Sequence, residues 1–162
     1  MMETDKGEIL IEVASRAEAS NILSSIHRCA DIICLVSIGE AHNELPEGYE
    51  NIAHKLRLLF ADTVSADYGP SESDVRRIIE LAESISSSGG RVLIHCEAGI
   101  SRSAAAALIM YAHWLGPGRE REAIGKVLDQ RPIARPNRRM VELADTILHR
   151  EGQLLDALEL AY

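Results

Sequence analysis

The sequence predicts one α/β domain, a mainly parallel central sheet of four to five strands flanked by helices. Three observations predict it. Short apolar runs alternate with segments of helical periodicity along the chain. One of those runs, 32–36, is continuous, as in a strand covered on both faces, and 91–94 reads as a second buried strand. The length of 162 residues suffices for one well-buried domain and little more. No repeat, low-complexity tract or long linker divides the chain, so residues 1–162 are read as a single domain.

Glu8-Ile9-Leu10-Ile11-Glu12-Val13 alternates weakly and predicts a first strand. Ser15-Arg16-Ala17-Glu18 is a capping box, and Ala19, Ile22, Leu23 and Ile26 follow on one helical face. Asp31 to Ser37, with Ile32-Ile33-Cys34-Leu35-Val36 inside it, predicts a central strand. Leu45-Pro46-Glu47-Gly48 predicts a turn. Leu56 to Phe60 predicts a short strand that its Arg57 argues against. Asp62 to Gly69 is polar loop, and Pro70 with Ser71-Glu72-Ser73-Asp74 opens a helix. That helix turns Val75, Ile78, Ile79, Ala82 and Ile85 inward and ends at Gly89-Gly90. Arg91-Val92-Leu93-Ile94 is a buried strand, and Ser103 to Met110 begins the next helix. Gly116-Pro117-Gly118 breaks the chain before helices over 119–130, 137–149 and from about residue 151.

Composition excludes several functions. Hydrophobic residues make up 46% but aromatics only 4%, so the core must be aliphatic and rich in alanine. A net charge of −8 argues against nucleic acid and anionic membranes as partners. No apolar run approaches transmembrane length, and Met1-Met2-Glu3-Thr4-Asp5 lacks the basic and apolar regions of a signal peptide. The expected location is the cytoplasm. Cys29, Cys34 and Cys96 form neither a disulfide framework nor a metal spacing, and the histidines are scattered. No metal or other cofactor is expected.

The most informative stretch is His95-Cys96-Glu97-Ala98-Gly99-Ile100-Ser101-Arg102-Ser103. It places a cysteine at the end of an apolar strand, then a five-residue loop, then an arginine and a hydroxyl at the mouth of a helix. A loop wound this way turns successive backbone N–H groups inward, making a cradle for a tetrahedral oxyanion. Arg102 adds a planar two-pronged donor. The same dipoles and guanidinium favour the thiolate form of a cysteine facing them. In open α/β sheets such a crevice lies at the carboxyl ends of the strands, where Cys96 falls.

At these residues the chain resembles the cysteine-dependent protein tyrosine phosphatases, whose signature is His-Cys, five residues, Arg, then Ser or Thr. Every fixed position is present. Gly89-Gly90-Arg91-Val92 and the filling Ala98-Gly99-Ile100-Ser101-Arg102-Ser103 are most similar to the compact dual-specificity branch. The likeness is closest over residues 56–146, with the signature region at 91–115.

The resemblance implies a protein tyrosine phosphatase-like fold and metal-independent hydrolysis of phosphate esters through a phosphocysteine intermediate. Cys96 would be the nucleophile. Arg102 and the N–H groups of Glu97, Ala98, Gly99, Ile100, Ser101 and Arg102 would hold the phosphoryl oxygens. Side chains of such a loop, Glu97 included, point outward. Ser103 would hydrogen-bond the departing sulfur, or else cap the helix. His95 would support the loop rather than act as a base.

In this family an aspartate from a loop before the preceding helix supplies the proton for the leaving oxygen. Asp62 and Asp67 are the two candidates. Asp62 directly follows an apolar segment and so emerges on the same sheet edge as Cys96, which favours it; Asp67 lies farther into the loop. Asn137, in Arg135-Pro136-Asn137, sits close to the phosphate loop in relatives and equally suits a helix cap. Arg131, Arg135, Arg138 and Arg139 would attract a dianionic phosphate if they border the pocket; otherwise they form a solvated helix start. Trp114 is read as core, and Tyr68 as surface beside the acid loop.

The expected substrate is a phosphorylated protein or peptide, on phosphotyrosine either alone or together with phosphoserine and phosphothreonine. A compact chain lacks the loops with which larger tyrosine-specific relatives deepen their pockets. The alternatives are the same chemistry on a phosphoinositide or an RNA 5′-phosphate, or a non-catalytic phosphate-binding module. Phosphoinositide-acting relatives tend to carry lysines in the five-residue loop, and Glu97 to Ser101 contains none.

Overall fold

The computed structural model describes residues 8–162. The leading segment Met1–Asp5, read above as lacking a signal peptide, lies outside the described residues. Four strands, β1 (Ile9–Ala14), β2 (Ile32–Gly39), β3 (Lys55–Leu59) and β4 (Gly90–His95), form one sheet in the order β1-β4-β2-β3. All three pairings are parallel. The observed sheet is thus at the lower bound of the expected four to five strands.

Parallel neighbours require crossovers, and helices supply them. The short helices α1 (Arg16–Leu23) and α2 (Ile26–Cys29) carry the chain from β1 to β2, leaving a slot that β4 later fills. The helix α3 (Glu72–Ser84) leads back into that slot, and α4 (Arg102–Leu115) leaves it. Helices α5 (Glu120–Gln130), α6 (Arg138–Ile147) and α7 (Gln153–Leu160) complete the larger helical layer.

Two apolar clusters mark the two faces of the sheet. Val92 and Ile94 share one with Val75 and Ile78 of α3 and with Ala104 to Ala112 of α4. Leu93 shares the other with Ala19, Ile22 and Leu23 of α1 and with Leu35 of β2. The period-2 alternation of β4 therefore needs apolar residues on both faces, which is why Val92, Leu93 and Ile94 follow one another without a break. Alanines 104–107 are fully buried and let α4 lie close to its neighbours.

Caps end up where the sequence places them. Ser15 with Glu18 and Ser71 with Asp74 form complete capping boxes. Ile26 departs from expectation: it is 83% exposed, because α1 stops at Ser24 and Ser25 caps a separate turn of helix. Trp114, expected in the core, is half-buried against it and donates its indole N–H to the Ala82 carbonyl at 2.8 Å, which ties α4 to α3. No helix among the described residues is long and apolar enough to cross a membrane.

Candidate active site

Strand β4 delivers His95 and Cys96 to the carboxyl edge of the sheet, and α4 begins six residues after the cysteine at Arg102. Between them the loop is wound with its carbonyls outward. The Glu97 carbonyl accepts from the Arg16 N–H at 3.1 Å, Ile100 from the Arg135 N–H at 2.7 Å and Ser101 from the Asn137 N–H at 3.1 Å. Arg131 serves the other two, through Nε to Gly99 at 2.9 Å and Nη2 to Ala98 at 3.4 Å. Among the described residues, the N–H groups of Glu97 to Ser101 donate to no protein acceptor. A ring of free donors is what an anion needs.

Gly99 allows this winding. Its φ is +68°, and a Cβ there would meet the Ala14 carbonyl carbon at 2.5 Å. Both the left-handed backbone and the close approach to the end of β1 exclude a side chain. Glu97 turns outward, as expected, and pairs with Arg16 at 3.0 Å.

Cys96 is 3% exposed, and its Sγ lies 3.0 Å from the Ser103 hydroxyl. Ser103 is the second residue of α4 and is fully buried, so its hydroxyl meets the sulfur and the cap position belongs to Ser101. Arg102, 7% exposed, donates from Nη1 to the Phe60 carbonyl at 2.8 Å. Its buried Nε has no hydrogen-bond partner among the described residues.

Asp62 joins the loop. Its Oδ1 accepts from the Ser101 hydroxyl at 2.6 Å and from Asn137 Nδ2 at 2.9 Å. Asn137 performs both tasks foreseen for it. Its Oδ1 caps α6 at the Met140 N–H, while Nδ2 reaches Asp62 and the Thr63 carbonyl. Asp67 lies exposed in the following turn, with its backbone N–H held by the Ser65 hydroxyl. The structure brings Asp62 to the loop and leaves Asp67 outside these contacts.

The arginine cluster is largely committed elsewhere. Arg131 pairs with Glu18 at 2.7 Å, and Arg138 with Glu142 and Glu159. Arg139 donates to the Pro70 carbonyl, and Arg135 stacks on Tyr162 at 4.1 Å. Arg131 works on the loop's carbonyls, and its contact with Glu18 holds that carboxyl down at about 2. Tyr68 is 78% exposed. The remaining thiols lie apart from these contacts: burial pushes Cys34 up to about 11, and Cys29 sits half-buried in α2. Among the described residues no cluster of His, Cys, Asp and Glu could hold a metal ion.

Two residues next to the site were not foreseen. Ser37 is fully buried in β2, and Arg57 of β3 donates to it at 2.8 Å. The only signal in the sequence was their oddity: a hydroxyl inside an apolar strand needs a partner, and so does a strand arginine.

The family described as the dual specificity phosphatase catalytic domain matches residues 38–146. Protein phosphatase Slingshot homolog 3 of Rattus norvegicus is 39% identical over 98 residues, 60% of this chain and 14% of that protein. The matched stretch is thus a small part of the relative's length. The fold is similar to that of human DUSP28, with a TM-score of 0.63 at 20% identity over 86% of this chain and 88% of that one. It is also similar to DUSP15, with a TM-score of 0.62 at 25% identity over 96% and 98% of the two chains. The strand, cradle and helix define a cysteine-dependent protein tyrosine phosphatase fold, and the chain belongs to its dual specificity phosphatase family.

Proposed function

We propose that residues 1–162 act as a single protein phosphatase domain that hydrolyses phosphotyrosine, and phosphoserine or phosphothreonine as well, in the cytoplasm. The observation that carries this reading is the Cys96 sulfur set 3.0 Å from Ser103 at a loop whose carbonyls are all turned away.

The thiolate of Cys96 attacks phosphorus, and the bond to the leaving oxygen breaks. The loop N–H groups of Glu97 to Arg102 and the guanidinium of Arg102 take the charge spreading over the three remaining oxygens. Asp62, held by Ser101 and Asn137, gives its proton to the leaving oxygen. Water then attacks the phosphocysteine while the Asp62 carboxylate takes its proton. The sulfur departs as thiolate, with the Ser103 hydroxyl donating to it. His95 stays out of the proton transfers: burial holds its imidazole at about 4, so it is neutral at working pH.

The test is a chelator-treated assay on phosphotyrosine, phosphoserine and phosphothreonine peptides and phosphoinositides side by side, with Cys96→Ser as control. The expected result is turnover of phosphopeptides that Cys96→Ser abolishes. Hydrolysis surviving in Cys96→Ser would overturn the mechanism, and turnover confined to phosphoinositides would overturn the substrate class.

A further inference from the structure

Arg57, Ser37 and His95 stand in one row across three strands. Ser37 is the register partner of Arg57 on β3 and of His95 on β4. Arg57 Nη1 lies 2.8 Å from the Ser37 hydroxyl, that hydroxyl lies 2.6 Å from His95 Nε2, and His95 Nδ1 lies 2.9 Å from the Cys96 carbonyl oxygen. Ser37 and His95 are 0% and 1% exposed, so no solvent competes for these bonds.

The ends of this chain fix its direction. A guanidinium can only donate and a carbonyl oxygen can only accept. Ser37 therefore accepts from Arg57 and gives its own proton to Nε2, which leaves the ring proton on Nδ1 for the Cys96 carbonyl. An imidazolium would carry an N–H on Nε2 as well, so the Ser37 oxygen would face two donors and its own proton would lose its acceptor in this row. Arg57 makes no salt bridge among the described residues; burial disfavours its charge most and the Arg102 cation adds to this, against the favourable influence of Tyr49. A half-buried cation within reach of a second cation, with one hydroxyl as its side-chain partner, is a costly arrangement for a strand that only needed an edge residue.

We propose that Arg57 is a positioning residue for the nucleophile: acting through Ser37, it holds His95 in the Nδ1–H tautomer that clamps the Cys96 carbonyl. Pinning that carbonyl fixes the peptide plane between Cys96 and Glu97. It thereby aims the first N–H of the cradle and the turn that presents the sulfur. The proposal rests on the reading of Cys96 as nucleophile.

The groups facing His95 give the sign of the pH effect. Burial is the largest cause of its low value. The Arg57 and Arg16 cations lower it further, while the bond to the Cys96 carbonyl and the Glu97 carboxylate raise it. Removing the Arg57 charge must therefore raise the His95 midpoint.

The experiment is nitrogen-15 NMR of the histidine rings in the full chain, paired with steady-state kinetics on a phosphopeptide. In the unsubstituted protein, His95 should show a bare Nε2 and a protonated Nδ1 from about pH 5.5 to 8. Arg57→Met should raise the His95 midpoint by roughly half a unit or more. It should also lower kcat by roughly ten- to a hundredfold with KM nearly unchanged. Arg57→Lys, which keeps charge and donor, should recover most of both. An Nε2–H tautomer in the unsubstituted protein would overturn the proposal whether or not any variant folds. So would a folded Arg57→Met with wild-type midpoint and kcat. The tautomer and midpoint are read without turnover, so an inactive protein with the expected ring state would sink the hydrolase reading and support the relay.

Discussion

The loop 96–101 and the loop 60–71 meet at the same sheet edge but are held by opposite means. The first is fixed through its backbone, with carbonyls bonded to the start of α1, to Arg131 and to the segment before α6. The second is fixed to the site through side chains: Arg102 on the Phe60 carbonyl, and Ser101 and Asn137 on Asp62 and Thr63. The carbonyls of the first loop are thus held whatever its outward side chains are, whereas Asp62 depends on the side chains of Ser101 and Asn137.

The largest effect is expected where that dependence is most direct. Asp62→Asn should slow hydrolysis of peptide or alkyl phosphates by roughly 10²–10⁴-fold, with a much smaller loss for esters whose leaving groups need no proton. The basic limb of the kcat/KM profile should flatten as well. Asp67→Asn should be near neutral. A loss of the first kind in Asp67→Asn would move the acid to the outer turn and imply a loop that closes on substrate.

Arg102→Lys should cost on the order of 10² in kcat, because an ammonium cannot make the two-pronged contact on a planar phosphoryl group. Wild-type kcat in this variant would leave Arg102 only its bond to the Phe60 carbonyl. The third effect is smaller and falls on stability. Glu18 holds Arg131, which holds the Gly99 and Ala98 carbonyls. Its carboxyl is depressed from 4.5 to about 2, first by the Arg131 hydrogen bonds. A depressed carboxyl contributes stability that is present above the unfolded value and lost as pH falls through the folded one. Glu18→Gln should therefore lower Tm at neutral pH, and the difference should fade between about pH 4.5 and 2. Half-exposed as Glu18 is, screening limits the effect to about 1 kcal/mol or less. A Tm difference that persists at the acid end would assign the loss to packing instead.

The same contrast explains what was legible in the sequence. Backbone-built features leave a spaced signature: His95-Cys96, Gly99, Arg102 and Ser103 stand at fixed intervals because strand, loop and helix are contiguous. The parallel sheet was legible for a similar reason, since burial on both faces demands the continuous runs at β2 and β4. Side-chain contacts between distant segments leave no such trace. Nothing in the sequence joins Ser101 to Asp62 across 39 residues, or Arg57 to Ser37 across 20. Arg57 even counted against its own strand. Its partner lies one strand over, and only the register of β2 against β3 reveals it. Likewise the four cations from Arg131 to Arg139 read equally as a phosphate-attracting patch or a solvated helix start, because Glu18, which holds Arg131, and Glu159, which holds Arg138, lie far away in sequence.

The central claim is that Cys96 carries the phosphoryl group between two chemical steps. The direct measurement is acid quench of the protein during turnover of a phosphotyrosine peptide, followed by peptide mass spectrometry to place the phosphoryl group. The account predicts a phosphoryl group on the Cys96 sulfur, absent from Cys29 and Cys34 and lost in Cys96→Ser. A phosphoryl group on any other residue, or steady turnover under conditions that trap phosphocysteine in a control enzyme yet none here, would contradict it.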